Sequence, residues 1–258
     1  MPLVISAQHF EWDTVDHALA RVRGDLGLAG IEWSWHASRR RPHCTDADWA
    51  RLLERPEPDL QQSAHIWEDL AALGRDRGRA ALQDWLDLAR RTDVRHLVIH
   101  GGSSPDQAAG LKATRRVLEA VLPAFEAAGV TLLLENHYAF DYRGAGELFS
   151  EPWEFLQVFN LASPSLKFCF DTGHGHMTRN SRALIAELAP WLDYVHLADN
   201  HGVDDDHQMY RRGTVDWDGV FNAIRAAGRS PTFCVEFPAR DDLEPFRQCR
   251  RELEARFA

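Results

Sequence analysis

The chain has 258 residues, 45% of them hydrophobic and 26% charged, the composition of an ordinary globular protein with enough apolar material for one large core. A formal net charge of -10 is the wrong sign for a broad phosphate-binding surface, which argues against nucleic acid as a partner. No apolar run approaches the ~18 residues of a membrane span, and MPLVISAQHF lacks the basic region and small-residue cleavage site of a signal peptide. The expectation is a cytoplasmic protein of one domain, residues 1–258. Its cysteines, Cys44, Cys169, Cys234 and Cys249, form no CxxC pair and are expected to be free thiols.

Short apolar runs alternate with longer amphipathic ones from end to end, predicting βα repeats. In chain order the strands are LVISA (3–7), GIEWSW (30–35), LQQSAHI (60–66), VRHLVIH (94–100), VTLLLEN (130–136), LKFCFD (166–171), DYVHLAD (193–199) and TFCVEF (232–237). Between them, apolar residues recur at three and four in ARVRGDLGLA (20–29), RAALQDWLDLARR (79–91), AAGLKATRRVLEAVLPAFEAAG (108–129) and WDGVFNAIRAAG (217–228), often ending on Gly. Eight such pairs at about 30 residues each fit an α/β fold of the (β/α)8 TIM-barrel type. An open doubly wound sheet fits less well, because AQHFEW, after the first strand, has no glycine for a phosphate loop. The basic stretches SRRRPH (38–43) and GRDRGR (74–79) are each read as a solvated loop or helix end in preference to a nucleic-acid groove.

In a parallel barrel the chemistry gathers where strands run into loops. Six consecutive predicted strands carry a metal-binding residue there: His65, His100, Glu135, Asp171, His196 and Glu236. Each alone has a structural explanation, a packed imidazole or a helix cap, but buried ionisable groups are costly unless paired or coordinated, so six together point to a site. Cys169 and Cys234 stand two before Asp171 and Glu236, on the same face and one layer deeper, where a small thiol fills the barrel floor; soft metal ligation is the alternative.

Glu135 in LLLEN, Asp171 and His174 in FDTGH, His196 in VHLAD, Glu236 in CVEF, and the D-x-H of Asp205 and His207 together resemble the xylose isomerase-like TIM-barrel superfamily. That superfamily includes sugar and sugar-phosphate isomerases and epimerases and also endonuclease IV. In its ketose 3-epimerase branch one divalent metal is held by residues similar to Glu135, Asp171, His196 and Glu236. The resemblance therefore implies a metal-dependent isomerase or epimerase of a small carbohydrate or polyol, working through a metal-stabilised enediolate. Mn2+ is the first expectation, with Mg2+, Co2+ or Zn2+ as alternatives. Glu135 and Glu236 would take and return the proton and His174 would polarise a substrate oxygen.

Beside a non-catalytic sugar- or metal-binding barrel, the same resemblance implies two rivals. Endonuclease IV, a phosphodiesterase acting on abasic DNA, uses a larger zinc-ligand set, and His65, His100, Asp205 and His207 are similar to its extra ligands; here they would bind further metal or substrate. The acidic run NHGVDDDH (200–207) speaks against a bent duplex on that face. A keto-sugar or keto-cyclitol dehydratase on the same scaffold is the other rival. Asp141 falls where the epimerases carry a substrate-binding acid, and is otherwise a solvated loop residue. In YRRGTVDW, Arg211 replaces a glycine usual in relatives; Arg211 and Arg212 would reach a substrate phosphate or carboxylate, or pair with the acidic run. Trp33, with Trp35, His9 and Phe10, is expected either to form a wall for a sugar ring or to pack in the core. Glu32 is expected to face the barrel mouth and orient a neighbour. Self-association through the helical exterior, at an exposed Trp85 or Trp153, would make a homo-oligomer.

Overall fold

A computed structural model describes residues 1–35, 46–55, 57, 59–139, 146–240 and 242–257. Leu3–Ser6 (β1), Val15–Arg23 (α1), Gly30–Trp35 (β2), Asp46–Glu54 (α2), Gln61–Ile66 (β3), Leu70–Thr92 (α3) and His96–Ile99 (β4) open the chain. A short strand Ser103–Ser104 (β5) then precedes Gln107–Ala128 (α4) and Thr131–Glu135 (β6), and pairs antiparallel with Gly146–Glu147 (β7) outside the main sheet. Pro152–Phe159 (α5), Leu166–Asp171 (β8), Thr172–Thr178 (α6), Ser181–Glu187 (α7), Leu192–Leu197 (β9), Trp217–Ala226 (α8), Thr232–Val235 (β10) and Glu244–Phe257 (α9) follow. The parallel strands close in the order β1-β10-β9-β8-β6-β4-β3-β2, the (β/α)8 barrel expected from the alternating pattern.

Local chemistry starts and stops the helices. Thr14, Asp69, Asp106, Asp171 and Asp216 each accept a backbone N–H of the first turn that follows, satisfying a donor the helix leaves open. At α4 the stop is Gly129 in the left-handed region. The first helix starts earlier than the predicted 20–29 and covers only its first four residues: Thr14 caps it, Gly24 ends it, and Leu26 and Leu28 are core residues of the connecting loop. Arg75 pairs with Asp76 and Arg77 caps the carbonyls of Ala72 and Leu73, so the basic stretch 74–79 is part of a helix surface.

The core has two parts. Inside the barrel, Val4, Val98, Leu133, Cys169, Tyr194 and Cys234 form a compact floor. Between sheet and helices lies a larger shell that includes Ile31, Trp33, Trp35, Phe125, Phe168, Phe221 and Phe233. Both cysteines thus occupy the predicted floor, and Cys169, Cys234 and Cys249 are free.

Strand parity corrects the aromatic wall. Glu32 and Ser34 alternate with Trp33 and Trp35, and both tryptophans belong to the outer shell. Trp33 donates to Gln62 Oε1 at 2.9 Å and Trp35 stacks on Trp85 at 5.9 Å. Phe10 is in the same shell, and Trp85 is buried there, so neither a sugar nor a second subunit meets it; Trp153 is exposed as expected. Cys44, Asp141 and the 38–43 stretch lie outside the described residues. Among the described residues no helix is long and apolar enough to cross a membrane.

Candidate metal centre and active site

Two residues beyond the floor, the period of the strand returns the side chains to the barrel axis as polar groups: Leu133 leads to Glu135, Cys169 to Asp171, Tyr194 to His196 and Cys234 to Glu236. Ligand atoms of Glu135, Asp171, His196 and Glu236 all lie within 4.8 Å of one another, and all four residues are buried. His196 Nδ1 is 3.1 Å from Glu135 Oε1 and 3.2 Å from Glu236 Oε2. Asp171 Oδ1 accepts the His174 N–H at 2.6 Å, whereas its Oδ2 is buried without a partner.

The other histidines close in on the same carboxylates. His100 Nε2 is 3.2 Å from Glu135 Oε2 and 3.1 Å from His65 Nε2. His65 Nδ1 faces Glu236 Oε1 at 3.7 Å. His174 Nδ1–H donates to the Asn136 carbonyl at 2.8 Å, and its Nε2 lies 3.2 Å from Asp205 Oδ2. His207 Nδ1–H donates to the Glu236 carbonyl at 2.6 Å, and its Nε2 is 3.6 Å from Asp205 Oδ1. His65, His100, Asp205 and His207 therefore share one pocket with Glu135, His174 and Glu236.

Sequence reading missed four members of that pocket: Gln8, Trp67, His137 and Tyr138. His137 and Tyr138 follow LLLEN directly, so their place just past a strand end was a usable signal. Trp67 is two beyond His65, hence on its face, and stacks on it at 5.0 Å. Trp67 and Tyr138, with His9 beside His207 at 4.9 Å, supply the aromatic rim that Trp33 does not. The described residues enclose about 220 Å³, below the ~300–1,000 Å³ of drug-sized ligand sites and suited to a small molecule.

Arg211 does not line this pocket. Its guanidinium bonds Glu252 Oε2 at 2.6 Å and faces Asp218 at 3.4 Å, so it ties the loop after β9 to α8 and α9 instead of pairing with the acidic run or reaching a substrate anion. Arg212 is exposed and also absent from the pocket lining.

The electrostatics follow from crowding carboxylates and imidazoles away from water. Burial would raise the Glu135 carboxyl, but His196, His65 and His100 override it and hold the group well below the usual carboxylate range. Burial lowers His196, yet Cys169 and the carboxylates of Glu236, Glu32 and Glu135 bring it well above an ordinary imidazole. Asp171 goes the other way: burial, against the pull of His174 and with the repulsion of Glu135, Asp205 and Glu236, pushes it up to about 6. Three carboxylates and one imidazole are the donor chemistry of a hard or borderline divalent cation. The unpartnered Asp171 Oδ2, whose burial is costly as it stands, is an oxygen that such a cation would complete, so the residues present fit a metal.

Residues 19–256 match the family model of the xylose isomerase-like TIM barrel. The chain belongs to that family. Within it, the barrel resembles a crystal structure of a D-tagatose 3-epimerase-like protein with a TM-score of 0.81 and 19% identity, covering 99% of this chain and 98% of that one. A structure of L-ribulose 3-epimerase follows with a TM-score of 0.72 and 22% identity over 92% of this chain and 82% of that one. The apo form of 3-keto-D-glucoside 4-epimerase, YcjR, from E. coli has a TM-score of 0.71 and 14% identity, covering 99% and 98%. At these identities the likeness is one of fold. A curated relative, "Uncharacterized protein y4fM" of Sinorhizobium fredii (strain NBRC 101917 / NGR234), is 23% identical over 179 residues, 68% of this chain. The match spans 56% of that relative's own length.

Proposed function

We propose that the protein is a divalent-metal-dependent isomerase or epimerase of a small carbohydrate or polyol derivative, acting by proton transfer at a carbon next to a carbonyl. The observation that carries this reading is the mutual approach of Glu135, Asp171, His196 and Glu236 at the C-terminal end of the barrel. The sugar epimerases among its structural neighbours support the same reaction class. Glu135, Asp171, His196 and Glu236 would hold the ion, with Mn2+ the first choice. Once bound, it supplies Lewis-acid polarisation of a carbonyl oxygen.

The chain's own residues do the rest. Glu135 and Glu236 approach His196 Nδ1 from different strands, which supports a reading in which one carboxylate takes a proton and the other returns it. A carboxylate base needs little intrinsic strength when the carbon acid is already polarised. His174 is anchored by the Asn136 carbonyl and Asp205, and burial, which would lower it, is overcome by Asp171, Asp205 and Glu135 so that it stands well above an ordinary imidazole. It therefore brings positive charge to the pocket wall, where it would favour negative charge developing on a substrate oxygen. Trp67 and Tyr138 cover the mouth and give a sugar ring an apolar face. Three buried free thiols, Cys169, Cys234 and Cys249, suit a reducing compartment and support a cytoplasmic location.

The test is incubation of the Mn2+-loaded protein with a ketose panel in D2O. Deuterium at carbons next to the carbonyl together with epimer or aldose formation is the expected result; deuterium with loss of water marks a lyase. The gathering of His65, His100, Asp205 and His207 in the same pocket favours one second reading, an endonuclease IV-like phosphodiesterase. Nicking of abasic DNA without proton exchange would replace the first reading by that one. The exposed Asp204 and Asp206 beside Asp205 weigh against a DNA backbone there.

A further inference from the structure

Glu32 lies on β2, level with Ser6 of β1 and Ser63 of β3, and its side chain is fully buried. Its Oε2 is 3.1 Å from His196 Nε2, whereas Glu135 and Glu236 approach Nδ1 of the same ring; a ligand atom of Glu32 also lies within 4.8 Å of His65 and Glu236, and its Oε1 has no hydrogen-bond partner. A carboxylate taken out of water is a poor way to stabilise a barrel even with an imidazole beside it, because an apolar pair of similar size avoids the desolvation cost. The position makes sense through what it does to the imidazole.

We infer that Glu32 is a positioning residue that sets the tautomer and the ring orientation of His196, so that the lone pair of Nδ1 is aimed at the cluster of Glu135, Asp171 and Glu236. A neutral imidazole carries one N–H, and only the other nitrogen can ligate a cation. Glu32 Oε2 stands at Nε2 while Glu135 and Glu236 approach Nδ1, so a proton held at Nε2 has its acceptor there and Nδ1 is the nitrogen left to face the cluster. The same bond fixes the ring flip. Rotation by half a turn would bring Cε1 to Glu32 and Cδ2 to the cluster, losing the Glu32 hydrogen bond and withdrawing the ligand atom at once. Glu32 reaches His196 across the barrel, since β2 and β9 are not neighbours, which makes the contact a product of the closed fold.

This inference rests on the metal site proposed above, and its test separates the two. Glu32→Gln keeps the shape and packing of the side chain, but a carboxamide can also turn its NH2 toward Nε2 and stabilise the wrong tautomer. Titration calorimetry with Mn2+ alone should show Mn2+ binding weakened by about 10–100-fold in Glu32→Gln, with the metal-free thermal midpoint and circular dichroism close to wild type. Long-range 1H–15N spectra of wild-type protein labelled at histidine and loaded with Zn2+ should place the His196 proton on Nε2. Equal Mn2+ affinity in the two chains, or a His196 proton on Nδ1 in the Zn2+-loaded wild type, overturns the role of Glu32 and leaves the metal site standing. A wild-type chain that binds no Mn2+ overturns both. The spectra need no variant, so they decide the question even if Glu32→Gln does not fold.

Discussion

Glu236 touches more of the cluster than its position at the last strand implies: its side chain faces His196 and His65, and its backbone carbonyl holds His207. Replacing it by Gln keeps the volume and removes the base, so kcat for deuterium uptake should fall by ~10²–10⁴-fold while the barrel remains folded. Full-rate exchange in Glu236→Gln, read by NMR in D2O, would strip the residue of that part. At this scale strand periodicity made Glu135, Asp171, His196 and Glu236 legible, because a residue's face follows from parity alone. The same rule, applied from Glu32, assigns Trp33 to the outer shell; expecting it at the mouth overlooked that consequence. Trp67 was readable by the identical argument from His65. The His174 contact with Asn136 joins α6 to the residue that follows β6, and no spacing within one segment announces it.

Elements are held in register by a few close approaches. A Cβ on Gly30 would stand 2.1 Å from the Gln61 carbonyl oxygen and 2.8 Å from Val4 Cγ1, so only glycine lets β2 enter the sheet beside β1 and β3. Gly30→Ala should cost about 1–3 kcal/mol, seen as a lower urea midpoint at unchanged slope. On the outer side, Arg211 sits at φ 59, a region glycine adopts freely, and is held there by Glu252 and by its approach to the Tyr210 ring at 5.3 Å. Burial would raise the Glu252 carboxyl, but hydrogen bonds from Arg211, Tyr210 and Gln248 bring it down to about 2. A carboxylate lowered from about 4.3 in the unfolded chain adds stability above that pH and loses it as the pH falls toward the folded value. Glu252→Gln should therefore cost about 1 kcal/mol at pH 7, with the difference from wild type shrinking between about pH 4.3 and 2 in denaturation curves. A difference independent of pH would break the assignment to this pair. The glycine-to-Arg departure was visible in the chain, but the partner on α9 was not, being 41 residues away.

As a whole molecule, the barrel concentrates acidic groups at one end of its axis, and their mutual repulsion is the natural handle on function. Mn2+ at ~100 times its dissociation constant should add about 2.7 kcal/mol to folding stability and raise the thermal midpoint by about 5–10 °C, with EDTA reversing the shift. The absence of any shift, with calorimetry showing no binding, would remove the cation from the proposal. Stabilisation by Zn2+ but not by Mn2+ or Mg2+ would instead turn attention to the imidazole-rich set of His65, His100 and Glu135.

What the amino-acid order determined by itself was the barrel and the face of each strand, because both depend on short-range periodicity: apolar runs of strand length, amphipathic runs of helix length, and a side-chain period of two. That sufficed to rank the strand-end donors as candidates before any coordinates. Only the tertiary structure decided which donors meet, which of the tryptophans face the mouth, and what Glu32 and Arg211 do. Those outcomes depend on barrel closure, which sets Glu32 against His196 across a sheet and turns Arg211 onto an outer helix. Distances of that kind are fixed by the packing of residues far apart in the chain, and no local pattern encodes them.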